Sequence, residues 1–238
     1  MTTRCGLRAG PLQGMKVLDF TTLLPGPYSS MMLADMGAEV LRIESPIRPD
    51  MARITPPLIA QDVSATHAMI NRNKRALGLN LKTKEAKNII YELVRPKEGG
   101  FDVILEGFRP GVMEKLGLGY NDLKKINGDV IYCSITGYGQ TGPMRDRAGH
   151  DINYLALSGL ASYGGTKGNP SLSAMQIADI AGGSHHAVIG ILAACQQRAN
   201  QRLFGSKEGV EGEEKRRVLG QHIDISMADC TFGKRIEH

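Results

Sequence analysis

Residues 15–44 read MKVLDFTTLLPGPYSSMMLADMGAEVLRIE, and this stretch decides the fold. Residues 15–20 (MKVLDF) are a short apolar run with an acid, Asp19, near its end, the pattern of a buried strand. Leu24-Pro25-Gly26-Pro27 is a turn. Residues 28–36 have helical character and stop at Gly37, a residue suited to ending a helix. Residues 38–44 (AEVLRIE) predict a second strand ending in Glu44. Strand, turn, helix and strand in so short a span favour a parallel sheet with a right-handed crossover. The turn is not GxGxxG, so a nicotinamide or flavin dinucleotide site is unsupported.

The alternation continues along the chain. Residues 45–71 hold four prolines (Pro46, Pro49, Pro56, Pro57) and few periodic apolar residues, and read as an irregular surface loop. Strands are expected at 76–81, 101–106 (FDVILE), 130–135 (VIYCSI) and 221–226 (QHIDIS), and helices at 83–93, 110–116, 120–126 and 152–159. The clearest helix is 180–198, with Asp179 at its N-cap and small residues in its first turn. A glycine-rich loop, 137–142 (GYGQTG), follows one strand. Residues 200–220 are polar, charged and glycine-rich, and read as an exposed hairpin or a disordered insertion. No internal repeat is visible.

The 238 residues are 42% apolar and 22% charged, ordinary values for a globular chain, which excludes collagen-like and disulfide-scaffold readings. Glycine is enriched: 29 of 238 residues, about 12% against a usual ~7%. That fits tight turns and close backbone approaches. Apolar runs such as 187–195 fall far short of the ~20 residues that span a bilayer. The first ten residues lack the apolar core of a secretory signal. Cys5, Cys133, Cys195 and Cys230 are widely spaced, without metal or redox-motif spacing, and are expected to be reduced. No metal site is expected. The net charge of +5 comes from scattered Lys and Arg, so an anionic small ligand explains it better than nucleic acid.

Two positions carry candidate chemistry. His150 lies in Gly149-His150-Asp151, just before a helix. Asp179 opens the longest helix, with Ala181-Gly182-Gly183 behind it, small enough to let a ligand approach the helix N-terminus. A histidine and a carboxylate there can form an acid/base pair with a backbone oxyanion site, although an N-cap Asp needs no catalytic role. Residues 71–75 (NRNKR) are either a solvated charge run or a phosphate site. His67, His185, His186, His222 and His238 lack metal spacing. For Asp19, Asp35 and Glu44, capping or solvation suffices.

Several motifs together resemble the class III CoA-transferase (CaiB/BaiF) family. They are Leu12-Gln13-Gly14 with MKVLDF and Pro25-Gly26-Pro27, residues 33–40 (LADMGAEV), NRNKR, residues 108–119 (FRPGVMEKLGLG) and residues 134–143 (SITGYGQTGP). Within it, residues 149–159 (GHDINYLALSG) are similar to the α-methylacyl-CoA racemase branch. The resemblance runs from about residue 12 to residue 229.

The resemblance implies an α/β fold, a Rossmann-like parallel sheet flanked by helices as the large domain, with the small domain missing. It divides the chain into an N-terminal extension (1–11), a CoA-binding α/β domain (12–199), a polar insert (200–220) and a last strand with the start of a truncated linker (221–238). It implies that His150 and Asp179 are two bases on opposite faces of the α-carbon of a 2-methylacyl-CoA. In the transferase branch an Asp at this position is instead the nucleophile. Arg42, Arg75, Arg109 and Lys115 are expected near CoA phosphates or adenine, with Gly149 beside the ligand. No permanently bound cofactor is implied, coenzyme A being part of the substrate. The implied partners are an acyl-CoA thioester and a second copy in a homodimer, with no nucleic acid and no membrane span. The implied location is intracellular: cytoplasmic in a bacterium, mitochondrial or peroxisomal in a eukaryote. Remaining alternatives are a CoA-transferase and an inactive acyl-CoA-binding fragment.

Overall fold

The computed structural model describes residues 10–96, 100–204 and 220–233. Along the chain the elements are β1 (Lys16–Asp19), α1 (Pro25–Asp35), β2 (Glu39–Glu44), α2 (Met51–Ile54), β3 (Leu58–Ala60), β4 (Val63–Ser64), α3 (Ala65–Ile70), β5 (Lys74–Gly78), α4 (Lys84–Val94), β6 (Val103–Glu106), α5 (Val112–Lys115), α6 (Tyr120–Ile126), β7 (Ile131–Thr136), α7 (Asp151–Leu157), β8 (Gly165–Thr166), β9 (Asn169–Pro170), α8 (His185–Phe204), β10 (Gln221–Ser226) and α9 (Met227–Phe232). A 3-10 turn (Leu160–Tyr163) follows α7, and a π-helical segment (Ala178–Ser184) runs directly into α8.

Six strands make one parallel sheet in the order β10-β7-β6-β1-β2-β5. Residue alternation sends Val17, Val103, Leu105, Ile131, Cys133 and Ile135 to one face, where they meet Leu33 of α1 and Ala187 and Ile191 of α8. Leu18, Phe20, Ile104 and Tyr132 go to the other face, against Ile90 and Val94 of α4 and Leu123 of α6. Helices cover both faces, so β6 and β7 are buried at every position. The expected α/β class, a parallel sheet flanked by helices, is what the chain forms.

Local signals set most element ends. Thr83 accepts the Ala86 N–H at 3.2 Å and starts α4. Gly37 ends α1 at φ +102°, where a Cβ would be strained. Three expectations are corrected. Residues 45–71 are not irregular, because Asp50 and Ser64 cap α2 and α3 and a short β3–β4 hairpin lies between them. The strand expected at 76–81 begins at Lys74, because Lys74 and Arg75 pair in register with Val40 and Leu41. The long helical run starts before Asp179 and continues to Phe204, so it enters the range assigned to a polar insert; 205–219 lie outside the described residues.

Asp19 is fully buried at the end of β1, so capping or solvation does not account for it. Its Oδ1 accepts the Thr21 N–H at 2.9 Å and the Thr21 hydroxyl at 2.5 Å. Its Oδ2 accepts from the Ser30 hydroxyl and, at 3.5 Å, from the Lys74 ammonium. Lys74 also donates to the Pro27 carbonyl at 2.8 Å and to Asn71 Oδ1 at 3.0 Å. Burial pushes the Lys74 amine down to about 8, against the pull of Asp19. Asp35 and Glu44 are likewise engaged, by Arg72 and by Arg42 with Arg53. Asp19→Ala leaves the Lys74 ammonium buried without its counter-charge. Urea unfolding should show a loss of roughly 3–5 kcal/mol, and a loss under about 1 kcal/mol would deny the pair its structural role.

Candidate active site

The sheet order places β1 beside β6, and the chain leaves them in opposite directions. From β1 it builds outward through β2 and β5, and from β6 through β7 and β10. Loops after such a pair part and leave a crevice at the carboxyl ends of the strands. A cavity of about 270 Å³ lies there. Its walls come from the loop after β1 (Thr21, Thr22, Leu23) with the start of α1 (Pro25, Gly26), the loop after β6 (Gly107, Phe108, Arg109, Pro110), and the end of β7 with Gly137. Residues 147–150, Tyr154, Asp179 and Met227 close it.

His150, Gly149, Asp179 and Arg109 therefore meet in one cavity, although they are spread over 71 residues of sequence. His150 precedes α7, and its N–H donates to Asn153 Oδ1 at 2.9 Å. Asp151 turns inward, and its Oδ1 accepts the Asp179 N–H at 2.9 Å. This bond ties α7 to the π-helical segment and sets a second carboxylate beside Asp179. Burial, and then the Asp151 charge, push the Asp179 carboxyl up to about 6, with His150 pulling the other way. Tyr154 lies beneath Gly149: a Cβ there would come within 2.7 Å of the Tyr154 ring, and one on Gly137 within 2.4 Å of its hydroxyl. Both glycines are needed for close approach.

Two features of the Asp179 expectation are corrected. Asp179 is not an N-cap but lies within the first helical turn, and its own N–H is taken by Asp151. Gly182 and Gly183 do not open the helix to a ligand. A Cβ on Gly182 would meet Thr231 Oγ1 at 2.7 Å, and one on Gly183 would meet Met227 at 3.1 Å and Pro25 at 3.2 Å. They allow α9 and the start of α1 to pack against the segment that carries Asp179.

Among the expected phosphate contacts, only Arg109 lines the cavity. Arg42 is 2% exposed, with its guanidinium engaged by Glu44 (2.7 Å) and Asp50 (2.5 Å). Arg75 pairs with Glu39, and Lys115 is an exposed residue of α5 outside the cavity wall. Within NRNKR, Lys74 pairs with the buried Asp19, while Arg72 and Arg75 pair at the surface with Asp35 and Glu39. Two cations that the sequence reading missed, Arg145 and Arg147, do line the cavity. Arg109 and Arg147 form no ion pair among the described residues, whereas Arg145 lies 3.5 Å from Asp146. The Gly/Arg-rich character of 142–149 was the available signal. Glu106 was also missed. Its carboxyl accepts the Phe108 N–H at 2.8 Å and shapes the loop that carries Arg109, and burial pushes it up to about 7.

A profile of CoA-transferase family III matches residues 12–232. The chain belongs to CoA-transferase family III. The match extends through α9, past the residue 229 at which the motif resemblance stops. Over 222 residues the chain is 40% identical to the human alpha-methylacyl-CoA racemase, covering 92% of this chain and 49% of that protein. Over 174 residues it is 41% identical to the mouse succinyl-CoA:glutarate CoA-transferase, covering 73% of this chain and 39% of that protein. A crystal structure of a CAIB/BAIF family protein from Brucella suis superposes with a TM-score of 0.82 at 33% identity, over 95% of this chain and 56% of that one. The chain spans about half the length of the curated relatives it matches. No helix among the described residues of this family III chain is long and apolar enough to cross a membrane.

The raised Asp179 carboxyl has a consequence for stability. In the unfolded chain it ionises near its ordinary value of 3.8, and in the fold only near 6. Its burial costs no stability below about pH 3.8, destabilises the fold increasingly as pH rises from there to about 6, and does so by a constant amount above. Asp179→Asn should therefore melt with wild type at pH 3.5 and above it at pH 7.5. Equal melting temperatures across that range would remove the burial argument.

Proposed function

We propose that this chain is the CoA-binding half of a racemase that interconverts (2R)- and (2S)-2-methylacyl-CoA by two-base proton transfer. The observation that carries the reading is the meeting of His150 and Asp179 in one cavity whose rim holds Arg109, Arg145 and Arg147. A thioester carbonyl makes the neighbouring C–H weakly acidic. One base takes that proton, the bonding electrons move to the carbonyl oxygen as an enolate, and the second base returns a proton on the other face. An imidazole works as acid or base near neutral pH. A carboxyl held near 6 populates both forms in the same range, so Asp179 can exchange roles with His150. The three guanidinium groups suit the phosphates of coenzyme A. Coenzyme A enters as part of the substrate, with no permanently bound cofactor, and a homodimer is the proposed assembly.

A transferase is the second reading, supported by the comparable identity to a CoA-transferase. There Asp179 attacks the thioester carbonyl as a carboxylate nucleophile, releases CoA thiolate and carries the acyl group as an anhydride.

NMR of a 2-methylacyl-CoA in deuterated buffer, with and without an acceptor carboxylic acid, separates the two. The racemase reading expects α-proton exchange without an acceptor, lowered on the order of 10²–10⁴-fold in His150→Ala and in Asp179→Asn. Exchange unchanged in His150→Ala removes it. A hydroxylamine-sensitive adduct on Asp179 supports the transferase. Calorimetric titration with CoA tests the cation assignment. Arg109→Ala should weaken binding about tenfold, the scale of a charge-assisted hydrogen bond, whereas Arg75→Ala and Lys115→Ala should leave affinity unchanged.

A further inference from the structure

Leu23 sits in the cavity wall with φ +63°, in the left-handed region. Only two other non-glycine residues among those described have positive φ, Asp62 and Asn73, and their short polar side chains tolerate it. A leucine does so at a cost, and at 47% exposure the residue is not locked there by burial. Nor does helix α1 hold it: Pro25 and Pro27 carry no N–H, and the first bond into the helix runs from the Tyr28 N–H to the Leu24 carbonyl.

The constraint comes from the side. The Leu23 N–H donates to both carboxylate oxygens of Asp50, at 3.1 and 3.2 Å, across 27 residues of sequence. The Asp50 carboxylate is 3% exposed and also accepts the Ala52 N–H at 3.0 Å. Arg42 reaches it from β2 at 2.5 Å, and the other arm of the guanidinium holds Glu44 at 2.7 Å. Arg53 closes the group on Glu44 at 3.2 Å.

We infer that Asp50, clamped by Arg42, is a positioning residue that fixes the left-handed turn at Leu23 and so shapes the ligand-facing wall formed by residues 21–26. A buried carboxylate without Arg42 would lose its counter-charge and move or protonate, and the Leu23 N–H would lose its acceptor. Arg42 thus serves the ligand site through two hydrogen-bonded steps, not through contact with a phosphate. The inference rests on the proposed CoA reading only for the choice of ligand in one arm of its test.

The test uses Asp50→Ala, Leu23→Gly and the double variant. Glycine adopts positive φ without the Cβ penalty, so it should make Asp50 dispensable for the turn. Asp50→Ala should speed hydrogen exchange of the Leu23 amide and weaken CoA binding on the order of tenfold, the scale of a left-handed penalty for a residue with a Cβ. Adding Leu23→Gly to Asp50→Ala should restore most of the affinity, which general loosening of the fold would not allow. Arg42→Gln should weaken binding in the same direction, and by less than additively with Asp50→Ala. If Asp50→Ala does not fold, Asp50→Asn keeps an acceptor oxygen and should give a smaller change in the same direction. Unchanged exchange at Leu23 in a folded Asp50 variant, or a binding loss that Leu23→Gly does not restore, overturns the inference. If the wild-type chain does not bind CoA, the functional reading fails, and the Leu23 exchange arm still decides this one.

Discussion

A single buried carboxylate, that of Asp19, organises the first half of the sheet. An ionised carboxylate away from water is costly unless its oxygens are matched by donors and a counter-charge. Asp19 meets that demand from three directions: Thr21 in the following turn, Ser30 in α1 and Lys74 in β5. Each donor comes from a different element, so satisfying the charge fixes the elements relative to one another. The same turn then admits no side chain at Gly26, where a Cβ would lie 2.2 Å from Thr21. Neutralising this charge fixes Thr21, one end of the cavity wall whose next residues Asp50 holds at Leu23.

The other walls follow the same logic with different partners. Asp151 spends one oxygen on the Asp179 amide, Asp50 spends both on the Leu23 amide, and Glu106 spends one on the Phe108 amide. Two loops and one helical segment around the cavity are each held by a carboxylate bonded to a main-chain N–H. Asp19, Asp50, Glu106 and Asp151 are thus the fasteners of the site. Positive charge is divided accordingly. Arg42 and Lys74 are consumed in neutralising fasteners, whereas Arg109, Arg145 and Arg147 remain at the cavity edge.

Much of this was legible in the sequence, because the signals were local. Apolar runs such as VILE and IYCSIT cannot be anything but buried, and a Thr or a Gly at an element end fixes its boundary within a residue or two. His150 and Asp179 stand out as candidates because a histidine and a carboxylate lie beside small residues, and the fold brings both to the lining of one cavity. What was not legible depended on three-dimensional partners. Nothing local says that Arg42, within β2, faces Asp50 while Arg147 lines the cavity. Nothing local says that Gly182 and Gly183 are small for the sake of Met227 and Thr231, residues about 45 positions away that arrive only with the last helix. Short helices in 51–70 were hidden because four prolines argue for a loop, and capping by Asp50 and Ser64 overrides that tendency.

The last strand bears on how the molecule is made. Each residue of β10 pairs with one 90 positions earlier in β7, Gln221 beside Ile131 through to Ser226 beside Thr136. On a ribosome, the strands from β1 to β7 are complete well before β10 emerges. Through that interval β7, apolar at all but two of its six positions, presents an open edge able to pair with another chain. Closing that gap costs loop entropy that only the final contacts repay, and β10 then takes over as the edge strand on that side. A nascent chain of this protein therefore carries an exposed strand edge at β7 until its partner strand arrives.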